Sequence, residues 1–295
     1  MTTFRIGELQ VTRVEDFIMP QVPMKSLLPE VSEPAIQSNL HWLAPRFYDA
    51  ANKTAAVHIQ SWLIRTAHHT ILVDTCGGNF KPRSYFPEFD MRNGPYLENL
   101  RAAGANPEDI NFVFCTHLHI DHVGWNTRLE NGRWIPTFPN ARYLFSRADY
   151  DAFDPRQRSD GKRSRRDATF EDSVLPVVEA KLALMVDGMH PIDDNLMIEP
   201  APGHSPGHSL LRVESCGESA MFIGDIVHHP LQIAVPDCNS FACMDASLAR
   251  QTRKRILEAC CERNHLVVPA HFAAPHHGRV SYNGSDFAFH PSIHG

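Results

Sequence analysis

Residues 4–14 alternate apolar and polar positions well enough to predict an edge strand with one buried face. AVHIQSWLIRT (56–66) and HHTILVDTCGG (68–78) read as two further strands meeting at a short turn. Together they predict a sheet at the N-terminal end. PYLENLRAAGANPEDI (95–110) has helical spacing through Leu97, Leu100 and Ala103, with Gly104 as its C-terminal cap. The short apolar run NFVFCT (111–116) then reads as a buried strand. Beyond it the pattern predicts a strand in ARYLFS (141–146), a helix start in SRADYDAF (146–153) and a mainly helical FEDSVLPVVEAKLALM (170–185). Strands interrupted by turns follow over 195–215 and 219–227. DASLARQTRKRILEACCERN (245–264) predicts a helix capped by Asp245, and HLVVPAH (265–271) ends the series as a strand running into a histidine. Strands come in groups with helices between them, which suits an α/β sandwich better than a strictly alternating parallel sheet.

One region breaks the pattern. Residues 19–48 hold Pro20, Pro23, Pro29, Pro34 and Pro45 among Met24, Leu27, Leu28, Trp42, Phe47 and Tyr48. That proline density predicts a loop without long regular elements, while the apolar residues must cover something. A loop packed over the body, a substrate lid and a subunit contact in a homodimer are the alternatives.

Composition narrows the class. With 295 residues, 43% hydrophobic and 21% charged, the chain reads as a soluble globular protein, taken as a single domain over 1–295. The first 17 residues carry Arg5, Glu8, Arg13, Glu15 and Asp16, so they lack the apolar core of a signal peptide, and no transmembrane run follows. Seven cysteines without C-x-x-C spacing argue against a disulfide framework and for reduced, buried thiols in the cytoplasm. A net charge of −6 argues against a general polyanion binder, so neither a membrane nor a nucleic acid is the expected partner. RQRSDGKRSRRD (156–167) is the local exception, with six basic residues able to meet a phosphate or an acidic partner, but no aromatic residue interleaves them to stack on bases.

The chemistry concentrates in THLHIDHVGW (116–125), where three histidines and an aspartate fall within six positions at the predicted end of a strand. His117 and His119 lie two apart, so on a persisting strand they project from one face and reach one metal. Asp121 and His122 come after the turn begins, on another arc, placed for a second metal. Further ligands stand at three other element ends: His204 in APGHSPGHS, Asp225 in FIGDIV and His271 in VVPAHF. A third imidazole for the first ion, a further nitrogen for the second and a carboxylate able to bridge them make seven ligands for two metals. For a lone histidine the alternative, a buried ring held by backbone hydrogen bonds, would win. His68, His69, His276, His277, His290 and His294 are given no metal role.

The ordered set THLHIDH, GH, GD and PAH resembles the metallo-β-lactamase-fold hydrolase superfamily over essentially the whole chain. The resemblance implies an αββα four-layer sandwich with a dinuclear site at the edge of two sheets, held by His117, His119, Asp121, His122, His204, Asp225 and His271. LVDTCGG resembles the superfamily's early Asp-containing strand end, with Cys76 where a glycine is usual and Asp74 supporting a ligand rather than binding metal. HLHIDHVGW with GDIVHH is most similar to the group of N-acyl homoserine lactonases and methyl parathion hydrolases.

Two divalent ions can lower the pKa of a shared water and polarise a substrate oxygen, so no Ser or Cys nucleophile is needed, and no G-x-S-x-G is present. Ligands of His and Asp without thiolate suit Zn2+ best, with Mn, Co or Fe open by ligand type. The expected function is therefore a metal-dependent hydrolase opening a small lactone or ester. Asp121 both ligates and orients the attacking water. The alternatives are phosphotriester or phosphodiester cleavage on the same site, a metal-bound redox protein and, last, a non-enzymatic binding module. His228, three residues after Asp225, is a second catalytic candidate. Lactonases of the related group often place a tyrosine there, and an imidazole can donate to the oxyanion, protonate the leaving alkoxide or merely steady a metal ligand.

Overall fold

The structure is a computed structural model describing residues 2–158, 162–284 and 286–292. Of the sequence features above, His294 and residues 159–161 of the basic run lie outside the described residues. Its contacts divide the chain into two compact units, Met1–Phe17 with Ile59–His190 and Ile18–His58 with Pro191–Gly295. Among the described residues no helix is long and apolar enough to cross a membrane.

The first unit is organised by a seven-stranded sheet. In chain order its strands are β1 (Thr3–Ile6), β2 (Leu9–Pro23), β3 (Thr54–Arg65), β4 (Thr70–Val73) and β5 (Phe112–Phe114), then, after a separate hairpin of β6 (Thr127–Glu130) and β7 (Arg133–Pro136), β8 (Arg142–Ser146) and β9 (Ala183–Val186). The order across the sheet is β1-β2-β3-β4-β5-β8-β9. From β4 to β9 neighbouring strands run parallel. Parallel strands need crossovers, and strands covered on both faces read as unbroken apolar runs, which is why Ile71-Leu72-Val73 and Tyr143-Leu144-Phe145 are buried without alternation. Helices fill the crossovers: Tyr96–Ala102 lies between β4 and β5, and Arg147–Phe153 packs on β8 and β9. Gly104 sits at φ +87 just past Tyr96–Ala102, where the cap was expected.

The second sheet runs β10 (His190–Asp193), β11 (Leu196–Pro200), β12 (Ser209–Ser215), β13 (Glu218–Gly224), β14 (Leu266–Pro269), β15 (Gly278–Asn283) and β16 (Asp286–Pro291), in that spatial order. β13 and β14 are parallel neighbours, and the helix Ala246–Arg263 joins them. Asp245 caps that helix, its carboxylate accepting from Leu248 N at 2.9 Å, and Asn264 ends it at φ 53. Ala249, Thr252, Arg253, Ile256, Leu257 and Cys260 form its buried stripe.

The proline-rich stretch differs from its expected loop. β2 extends to Pro23, and Glu33–Leu43 is an eleven-residue helix. Proline does not break the helix because it stands only where no amide is needed. Pro34 is in the first turn behind the Ser32 cap, and Pro45 follows the last turn. The 170–185 stretch also differs: Leu175–Glu179 is helical, but Ala183–Val186 is strand β9. Three arginines of the basic run meet carboxylates. Arg156 meets Asp154 at 2.8 Å, Arg158 meets Asp167 at 2.5 Å and Arg163 meets Glu171 at 2.8 Å.

Candidate metal centre

In the first unit, β4 and β5 end side by side and their C-terminal extensions brace one another. Asp74, the residue after β4, takes φ +58 and points its carboxylate at the segment after β5. Its Oδ1 accepts Thr116 N at 2.8 Å, and its Oδ2 lies 2.9 Å from His122 Nδ1. Thr75 N donates to His122 O, Gly124 N to Cys76 O and Trp125 N to Thr75 O, each at 2.7 Å. Asp149, fully buried at the start of Arg147–Phe153, accepts Leu118 N at 3.1 Å. The glycines allow this contact: a Cβ on Gly124 would stand 2.0 Å from Gly77 backbone.

The strand does not persist to the histidines, since β5 stops at Phe114. The expected pleat geometry is therefore absent, and a turn closed by His122 N to His119 O at 3.1 Å gathers the rings instead. His117 Nε2 is 3.0 Å from His119 Nδ1, and the rings of His117 and His122 have centroids 4.0 Å apart. Asp121 Oδ2 lies 3.6 Å from His122 Nε2. Its side chain is 20% exposed, against 1% for His122. With His122 Nδ1–H donated to Asp74, Nε2 keeps a lone pair for a cation, the tautomer that ligation requires.

In the second unit, Asp225 and His271 follow the ends of the parallel strands β13 and β14. His204 lies on the β11–β12 loop, which rests on the helix Ala246–Arg263 so closely that a Cβ on Gly203 would meet Ala249 N at 2.4 Å. Three imidazoles surround one buried carboxylate: His271 Nε2 is 3.0 Å from Asp225 Oδ1, while His204 Nε2 and His228 Nε2 are 3.3 and 3.1 Å from Oδ2. His271 Nδ1 donates to His58 O at 2.9 Å, again leaving Nε2 for a cation. A buried carboxylate ringed by imidazole nitrogens, without thiolate, is a donor set that fits zinc or a similar divalent ion.

Sequence reasoning missed several residues packed around this group. His208, the second histidine of GHSPGHS, is fully buried and its Nε2 accepts Asp225 N at 3.0 Å. The repeated GH pair was the available signal. Gln232 Oε1 accepts His228 N at 2.6 Å and His229 N at 3.3 Å. His229 is turned away to Phe47 O at 2.8 Å, and burial pushes its pKa down to about 4. Ser240 Oγ lies 3.1 Å from His228 Nε2. All seven cysteines are free. Cys76, Cys115, Cys238 and Cys260 are buried, as expected of reduced thiols, but Cys216 is exposed.

These two ligand-bearing ends sit on the fold of one enzyme class. The metallo-beta-lactamase superfamily model matches residues 55–271, and the chain belongs to that superfamily, with its mixed α/β architecture of sheets flanked by helices. It is a hydrolase of that family. An N-acyl homoserine lactonase of Bacillus cereus is 25% identical over 225 residues, covering 71% of this chain and 79% of the lactonase. The N-acyl homoserine lactonase AttM of Rhizobium radiobacter is 32% identical over 132 residues, 44% of this chain and 45% of its own. Among solved structures, AidC, a dizinc quorum-quenching lactonase in complex with a product, N-hexanoyl-L-homoserine, shares the fold with a TM-score of 0.79 at 21% identity, covering 100% of this chain and 98% of its own. The hydrolase AbOPH of the beta lactamase superfamily shares it with a TM-score of 0.80 at 23% identity, over 100% and 98%.

Proposed function

We propose that this protein, acting as one hydrolase domain, opens small lactones, N-acyl homoserine lactones being the first class to assay, with two divalent ions held by His117, His119, Asp121, His122, His204, Asp225 and His271. The observation that carries the reading is Asp225, whose two oxygens face different histidines, His271 on one and His204 on the other. A carboxylate divided in this way suits a bridging role, and the lactonase relatives support the reaction class. Bound there, zinc ions would supply Lewis acidity and a nucleophilic water at neutral pH.

The chain's own residues do the rest. Asp74 and the His58 carbonyl fix the tautomers of His122 and His271, so each presents a bare nitrogen. Asp121, the partly exposed carboxylate, would ligate beside His122 and orient the attacking water. The phosphate alternative is weakened, because Arg156, Arg158 and Arg163 of the basic run already meet neighbouring carboxylates. The test is a panel of N-acyl homoserine lactones, simple lactones, aryl esters and phosphotriesters offered to zinc-loaded protein. Turnover highest on lactones and lost with chelator supports the reading. Turnover confined to phosphotriesters sinks it.

A further inference from the structure

We propose that His228 is an additional metal ligand, joining His204 on the Oδ2 side of Asp225, so that the ion there carries one more protein donor than the ion on the Oδ1 side. The inference rests on the dinuclear reading and adds a ligand, and an asymmetry between the ions, that the seven-residue set does not contain.

The geometry is that of atoms arranged around one point. His204, Asp225 and His228 each offer a buried donor atom, all within 4.8 Å of one another. His204 Nε2 and His228 Nε2 stand 3.3 and 3.1 Å from Asp225 Oδ2. Donors bound at zinc distances of about 2.0–2.1 Å stand about 2.9–3.6 Å apart at the angles of a five-coordinate shell, so these atoms can share an ion with little movement. His271 faces the other oxygen at 3.0 Å, which sets the two sides apart. The His228 ring is 5% exposed, which keeps water from competing for it, and its backbone is fixed by Gln232 Oε1 at the start of the short helix Leu231–Ala234.

The competing role is a hydrogen-bonded support, since Ser240 Oγ also lies 3.1 Å from His228 Nε2. Ser240, His228 and Asp225 do not form a nucleophilic triad. Such a relay needs the hydroxyl and the carboxylate on opposite ring nitrogens, and here both face Nε2. His228 Nδ1 is buried with no hydrogen-bond partner among the described residues, so Nε2 is the atom through which the ring is engaged. One nitrogen lone pair serves either the hydroxyl or a cation. Removing Ser240 therefore separates the roles.

The experiment is a chelator-competition titration of zinc on the full-length protein, with cobalt-substituted absorption spectra of the same forms. The native chain should hold one ion much more tightly than the other. His228→Ala and the space-filling His228→Gln should weaken the tight ion by more than the about 10–100-fold typical of an outer hydrogen-bond partner, and should alter the cobalt spectrum. Ser240→Ala should leave both unchanged. Tight-ion affinity and spectrum retained in the His228 variants, or Ser240→Ala matching their loss, would overturn the proposal. Two ions bound with His228 replaced and affinities unchanged defeat this inference alone, whereas a native chain that binds no zinc defeats the dinuclear reading beneath it.

Discussion

Asp74 Oδ2 and His122 Nδ1 lie 2.9 Å apart, and the same carboxylate accepts the Thr116 amide through Oδ1. One side chain thus fixes both the loop that carries the histidines and the tautomer of its last histidine.

Asp74→Asn should keep the acceptor for Thr116 N but set an NH2 against His122 Nδ1–H. The ring then flips its proton to Nε2, the atom needed for metal. Metal affinity should fall about 10–100-fold, read by competition titration, with the fold retained in circular dichroism. Unchanged affinity would show that Asp74 supports only the backbone.

Gly124→Ala should be severe, because the added Cβ would stand 2.0 Å from Gly77 backbone, which has no flexible end to move. Overpacking of this kind costs about 1–3 kcal/mol or more, visible in urea unfolding. Gly94→Ala is the control: its nearest neighbour would be Arg92 at 3.8 Å, and its stability should stay within about 0.5 kcal/mol. Equal midpoints for the two variants would contradict the close approach.

Asp16 gives a pH signature. Burial, opposed by the Gly77 amide and Arg92, raises its pKa to about 6. A folded pKa above the unfolded value means the folded state binds more protons between them, so this group's contribution falls as pH rises from about 4 to about 6. The loss is of order 2–3 kcal/mol by the same linkage. Asp16→Asn, which can still accept from Gly77 N, should remove that slope from a stability–pH series. A slope equal to that of the native chain would place the titration elsewhere.

The metal-binding segments were legible because ligation chemistry demands particular residue types at element ends, and THLHIDH, GH, GD and PAH stand at such ends. The reason given for pairing His117 with His119 was not: the strand ends at Phe114, and a turn brings the rings together. Position-specific tolerance hid the helix Glu33–Leu43, since Pro34 at its first turn and Pro45 beyond its end punctuate it without interrupting it. The β6–β7 hairpin has a local signal of its own. Asn131-Gly132, with φ of 50 and 77, is the turn pair that favours tight hairpins. Asp149 was invisible in kind, because its role depends on a contact from a distant segment that no local pattern encodes.

The most direct test of the central claim is elemental analysis of the protein purified without chelator, paired with lactone turnover before and after chelation. The account predicts about two divalent ions per chain, turnover abolished when they are removed and restored by zinc. Full turnover with one ion per chain, or with none, would contradict it.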